Sequence, residues 1–130
     1  MSRDHRKLRV FLLADTLLIQ VYRISALLPR EERFGVQSQL RRAAVSVAAN
    51  IVEGSARRTQ GEYVNFLNIA LGSCAEAGYL MDVVVRLGFL RAEDCADVSA
   101  GYSELLRSLR ATINALEFAR PGLKPSAQSP

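Results

Sequence analysis

Hydrophobic residues recur at helical spacing over nearly the whole chain, and no segment alternates as a half-buried strand does. From about Leu8 to Leu28, Val10, Ala14, Leu17, Val21, Ile24 and Leu28 form a main apolar stripe. Leu8, Leu12, Ile19 and Tyr22 form a second stripe on another side, with Phe11 and Leu18 between the two. A helix apolar on two sides is either central in its domain or shared with another subunit, and a small bundle has no fully central helix. The pattern therefore predicts a subunit contact. Leu28-Pro29 ends this helix, because proline excludes helical backbone before it and donates no hydrogen bond. Arg30 to Gly35 reads as a charged connector.

The second helix is predicted over Val36 to Ser55 and has three faces. Leu40, Ala44, Val47 and Ile51 are apolar. Gln39, Arg42, Ser46, Asn50, Glu53 and Arg57 form a polar line, and Val45, Ala48 and Val52 a side of small residues. This predicts a helix enclosed from several directions, with Gly54 as its C-terminal cap. Thr59 with Glu62 fits a capping box opening a third helix, Gln60 to Leu87. Its core side is read as Tyr63, Phe66, Ala70, Cys74, Ala77, Met81 and Val84. Gly72 and Gly78 inside it each cost about 1 kcal/mol against Ala, a loss that close helix approach is expected to offset. Gly88 stops that helix. A fourth starts within Arg91–Asp94 and ends before Pro121-Gly122, burying Val98, Tyr102, Leu105, Leu106, Leu109, Ile113 and Leu116. Residues 1–7 read as frayed. Long helices and short connectors predict an all-α fold, an antiparallel up-down-up-down four-helix bundle forming one domain over residues 1–120, with a disordered tail over 121–130.

Composition narrows the function classes. The chain has 130 residues, 49% hydrophobic and 23% charged, as expected of one globular domain. Its net charge is +4, and its basic residues are nearly all Arg. Arg pairs equally well with carboxylate and phosphate, so internal salt bridges and nucleic-acid contact both remain open. Cys74 and Cys95 fall on apolar faces and read as buried free thiols of a cytoplasmic protein. The uncharged run Val64 to Ala75 is too short to span a bilayer, so no membrane contact is expected. His5 is the only His, so no metal site and no nucleophile–base pair is expected, and no Gly-rich phosphate loop is present. No cofactor, small-molecule substrate or catalytic residue is assigned.

The run Gln39-Leu40-Arg41-Arg42-Ala43-Ala44-Val45-Ser46-Val47-x-x-Asn50-Ile51-x-Glu53-Gly54, followed by Arg57-Arg58, resembles a known family. So do Glu62-x-x-x-Phe66-Leu67-x-Ile69-Ala70-x-Gly72-Ser73-x-x-Glu76 and Leu87-Gly88-Phe89-Leu90. The family is that of small four-helix-bundle proteins first met as open reading frames in intervening sequences of bacterial 23S ribosomal RNA genes. The resemblance spans about residues 10 to 118. It implies a ring-shaped homo-oligomer, a pentamer, with no established catalytic activity. It also implies a distant relation to the accessory variability determinants of diversity-generating retroelements, basic pentameric bundles that bind nucleic acid and a reverse transcriptase. One departure is visible: the family often has Pro where Ala48 or Ala49 stands, so helix two is expected to be straighter here.

Arg42, Glu53 and Glu76 match the family's strongest polar positions. They read either as a catalytic constellation or, as favoured here, as part of a structural polar network or subunit interface with Gln39 and Asn50. Arg41, Arg57 and Arg58 are the candidate nucleic-acid-binding residues, with Arg3, Arg6 and Lys7 also available. Aromatic residues are not interleaved with these Arg residues, so contact with RNA or DNA is expected to be directed at the backbone rather than the bases. The expected function is a non-enzymatic homo-oligomeric scaffold associated with nucleic acid. The alternative is a protein-interaction scaffold whose charge serves internal pairs.

Overall fold

The computed structural model describes residues 3–119; the segment read above as a tail, residues 121–130, lies outside them. Four α-helices carry these residues: α1, Arg9–Ser25; α2, Val36–Ser55; α3, Gln60–Arg86; and α4, Ala92–Ala119. No strand occurs among the described residues. Short 3-10 turns precede α1, at His5–Lys7, and α2, at Arg30–Glu32.

Packing follows the hydrophobic periodicity. α2 packs most extensively on α3, α3 on α4, and α1 on both α2 and α4. The pairs α1/α3 and α2/α4 do not approach. One core results, and Val21, Leu40, Ala44, Val47, Ile51, Leu67, Ala77, Met81, Val84, Leu105 and Leu109 are wholly buried in it. Of the predicted α1 stripe, Val10, Ala14, Leu17 and Val21 are buried while Ile24 is only partly covered. α1 stops at Ser25, one turn before the predicted end, and Leu28 re-enters the core from the turn that follows.

The helix ends show why the boundaries fall where they do. Arg41 of α2 donates from Nε to Ser25 Oγ (2.8 Å) and from Nη2 to the Tyr22 carbonyl (3.1 Å), and Gln37 Nε2 donates to the Ser25 carbonyl (2.8 Å). Two α2 side chains thus bond acceptors in the last turn of α1, at Tyr22 and Ser25. Glu32 Oε1 accepts the Val36 amide at the start of α2. Thr59 Oγ1 accepts the Glu62 amide (3.1 Å) at the start of α3. At the other end of α3, Gly88 has φ +76°, its amide bonds the Val85 carbonyl, and the Phe89 amide reaches back to Val84. This is a Schellman closure, in which glycine takes left-handed backbone without a Cβ clash.

Three sequence expectations change. Gly54 is not a cap: it lies inside α2, where an added Cβ would stand 2.8 Å from Phe66 Cβ and 3.1 Å from Tyr63 Cδ1. The close helix approach expected at Gly72 and Gly78 occurs instead at Gly54, and at Gly101, whose missing side chain makes room for Leu17. An added Cβ at Gly72 meets nothing within 4 Å, and at Gly78 only an ordinary contact with Tyr102. Finally, residues 3–7 are docked rather than frayed. The Arg3 amide donates to the Ser55 carbonyl (2.9 Å), and His5 meets the Phe11 ring edge-on at 4.8 Å.

Candidate functional site

The α2–α3 elbow collects more unusual chemistry than any other part of the described residues. It is built on Gly54, which lets α2 close onto the first turns of α3 and brings Tyr63 and Phe66 beside the end of α2. Tyr63 and Phe66 are three residues apart and so share one side of α3. Each carries a guanidinium: Arg3 lies 4.0 Å over the Tyr63 ring and Arg57 4.7 Å over Phe66. Arg57 Nη2 also pairs with Glu53 Oε2 at 3.2 Å, one helical turn back. Arg3 Nη1 and Arg57 Nε are buried and meet no acceptor among the described residues. Arg58 is exposed and forms no ion pair there.

The other predicted residues separate into distinct settings. Arg41, grouped by sequence with Arg57 and Arg58, sits at the opposite end of α2, where it caps α1 and stacks on Tyr22 at 4.5 Å. Asn50 donates to the Ser46 carbonyl (2.8 Å) and Ser46 Oγ (3.0 Å), and Ser46 Oγ meets Ser73 Oγ at 2.7 Å across the α2–α3 seam. Above this seam Gln39, Arg42, Glu53 and Glu76 are exposed, and Arg42 and Glu76 form no ion pair among the described residues. Within the single chain the polar line of α2 therefore faces outward, and its half-buried part is Ser46 and Asn50, which join Ser73 of α3 in a small cluster.

Sequence spacing did not reveal the Arg–aromatic pairing, because the partners lie on different elements. Arg3 reaches Tyr63 only through the docked N-terminal segment, and Arg41 reaches Tyr22 across two helices. The Ser46–Ser73 contact was missed for the same reason.

The remaining reactive groups are sequestered. Burial pushes the Cys74 thiol up to about 12, and its Sγ donates to the Tyr102 carbonyl at 3.4 Å. Burial also raises Cys95, with the neighbouring Asp94 charge adding to the effect. No cluster of three His, Cys, Asp or Glu residues suited to a metal ion occurs among the described residues, and no helix there is long and apolar enough to cross a membrane.

The outer face of α1 carries Leu12 (53% exposed), Ile19 (47%) and Tyr22 (43%), with Leu27 (69%) and Phe34 (89%) beyond its end. At about 100° per residue, Leu12 and Ile19 point almost directly away from the buried face. With Tyr22 they are the exposed part of the second stripe read from the sequence, whose fourth member, Leu8, packs partly against the core.

A protein of unknown function from the S23 ribosomal protein family of Bacteroides thetaiotaomicron has a similar structure, with a TM-score of 0.75 at 23% identity. The match covers 80% of this chain and 97% of that one, and it establishes likeness of fold. No curated protein matches the chain. Residues 6–111 match the family described as 23S rRNA-intervening sequence protein, a span that includes all three motif runs and every residue of the α2–α3 elbow except Arg3. With this match over most of its length, the chain belongs to the 23S rRNA-intervening sequence protein family.

Proposed function

We propose that this protein is a non-enzymatic scaffold that assembles as a closed ring of identical subunits and associates with nucleic acid through its basic surface. The observation that carries the proposal is the outward apolar stripe Leu12–Ile19–Tyr22 on α1. A surface helix needs one apolar face, and the buried face of α1 already serves the core. A second apolar face in a chain this small is best explained by a neighbour. A head-to-tail contact that closes makes a ring, and the family resemblance implies a pentamer.

Alternating helix directions are part of this reading. Gln60 Nε2, at the start of α3, donates to the Leu116 carbonyl late in α4 (2.8 Å), and Arg9, at the start of α1, faces Glu104 of α4 at 3.7 Å. The connectors 56–59 and 87–91 are short. Both features fit an up-down-up-down bundle. The absence of a catalytic role rests on the settings of the candidate groups: His5 lies against Phe11, and Cys74 is buried and held as the neutral thiol.

The second reading, a protein-interaction scaffold, draws on Arg41 and Arg57, which spend part of their hydrogen bonding inside the chain. Light scattering on a sizing column, with and without a generic RNA and duplex DNA at low and moderate salt, separates the two. The proposal expects a stable oligomer that binds nucleic acid at low salt and releases it as salt rises. Ile19→Glu should reduce the mass to that of the monomer with helicity retained. A wild-type monomer would overturn the ring, and an oligomer indifferent to nucleic acid would favour the second reading.

A further inference from the structure

We propose that the α2–α3 elbow is a phosphate-binding site, in which Arg3, Arg57, Arg58 and the first amides of α3 receive one phosphate group. The inference deepens the nucleic-acid part of the reading above and rests on it for the source of the phosphate. Three independent features converge there.

The first is preorganisation. Arg is flexible in solution, yet Arg3 and Arg57 are held against neighbouring rings of α3, and Arg3 is anchored further by its backbone bond to Ser55. A stacked guanidinium keeps its edge donors available to an anion and loses little further freedom on binding. The second feature is unmet donor capacity. Arg3 Nη1 and Arg57 Nε meet no acceptor among the described residues, while the Arg57 side chain as a whole is 41% exposed and so within reach of an anion from solvent. Both lie at one corner, over rings one helical turn apart. An oxyanion offers several acceptor lone pairs, and a small shift of either side chain turns these donors to it.

The third feature is the positive end of α3, a helix of 27 residues that begins at Gln60, directly after Arg57-Arg58-Thr59. Thr59 caps the Glu62 amide, and the first-turn amides of Gln60 and Gly61 lack partners within the helix, as at every helix start. Two carboxylates are nearby: Glu53 pairs with Arg57, and Glu62 lies in the first turn of α3. Three guanidiniums outnumber them, so the corner stays positive. Arg6, by contrast, is bound to Asp4 and is not counted. The same phosphate chemistry is offered by a nucleic-acid backbone and by free phosphate or a nucleotide.

The test uses the full-length chain labelled with 15N, titrated with inorganic phosphate and then pyrophosphate at low salt. The Arg57 Nε–H and the Gln60 and Gly61 amides should shift saturably. Arg58→Gln, an exposed position whose change leaves packing alone, should weaken binding at least threefold, and Arg3→Gln or Arg57→Gln at least tenfold. Arg86→Gln, where the Arg pairs with Asp82 far along α3, should change nothing. In parallel, the same variants are titrated with a short RNA and a duplex DNA at two salt concentrations. Loss of nucleic-acid affinity with a shallower salt dependence in Arg57→Gln and Arg58→Gln identifies the backbone as the phosphate source. Phosphate shifts without nucleic-acid binding keep the site and remove the nucleic-acid reading. Nucleic-acid binding untouched by these variants, with no phosphate shift, removes the site and keeps that reading. Absence of any saturable shift at tens of millimolar phosphate overturns the inference outright.

Discussion

Gly54→Ala adds one methyl group at the closest approach of α2 and α3, and its cost can be worked from the distances. The new Cβ would stand 2.8 Å from Phe66 Cβ, 3.1 Å from Tyr63 Cδ1 and 3.3 Å from the Tyr63 carbonyl oxygen. Carbon atoms in good contact lie about 3.5–4.0 Å apart, so the helices must separate by up to roughly 1 Å. Phe66 Cβ and the Tyr63 carbonyl are fixed to the α3 backbone and cannot rotate away. Overpacking of this kind costs about 1–3 kcal/mol, and the upper part of that range applies because α2 and α3 form the most extensive helix pair. Replacing glycine within a helix returns about 1 kcal/mol. The expected net loss is therefore about 1–2 kcal/mol. Gly72→Ala is the control: it adds the same methyl group to a helix interior with nothing within 4 Å, and should gain about 1 kcal/mol. Urea unfolding followed by far-ultraviolet circular dichroism, at one fixed subunit concentration, compares the two variants. A Gly54→Ala protein as stable as wild type, or more so, would refute the close-approach argument. If both variants gained stability alike, helix propensity alone would account for them.

Other outcomes follow from single groups. Tyr102 is buried, and its hydroxyl meets no partner among the described residues, so Tyr102→Phe should leave stability unchanged or raise it by about 1–2 kcal/mol; a loss beyond 1 kcal/mol in the same urea assay would show that the hydroxyl is satisfied. Arg41→Met removes the donors to Ser25 and Tyr22 and should cost about 1–3 kcal/mol; hydrogen exchange should quicken at the end of α1 before it does elsewhere, and uniform quickening would count against the capping role. Cys74 should resist thiol reagents in the native state at pH 8 and react once the chain unfolds. Because its folded value is raised to about 12 from 9.0, its contribution is complete below about pH 9 and is lost as pH rises from there to about 12, at up to about 1.4 kcal/mol per pH unit. Cys74→Ala should therefore flatten the alkaline decline in stability, and an unchanged slope would refute the assignment.

Periodicity alone determined four helices, the ends of α2 and the start of α3, because a 3.6-residue repeat and the signals at Pro29, Thr59 and Gly88 are local. It also separated the two faces of α1, and the motifs placed the chain in its family. Tertiary structure decided what depends on residues distant in sequence. Gly54 and Gly101, not Gly72 and Gly78, are the glycines that admit a neighbouring side chain, since only packing shows where two helices come closest. Arg41, on α2, and Arg57, just beyond its end, are alike as basic residues in sequence but part company because one meets the end of α1 and the other meets Phe66. The docking of Arg3 on Tyr63 joins the chain's start to its middle, a contact between residues 60 positions apart that no local pattern encodes.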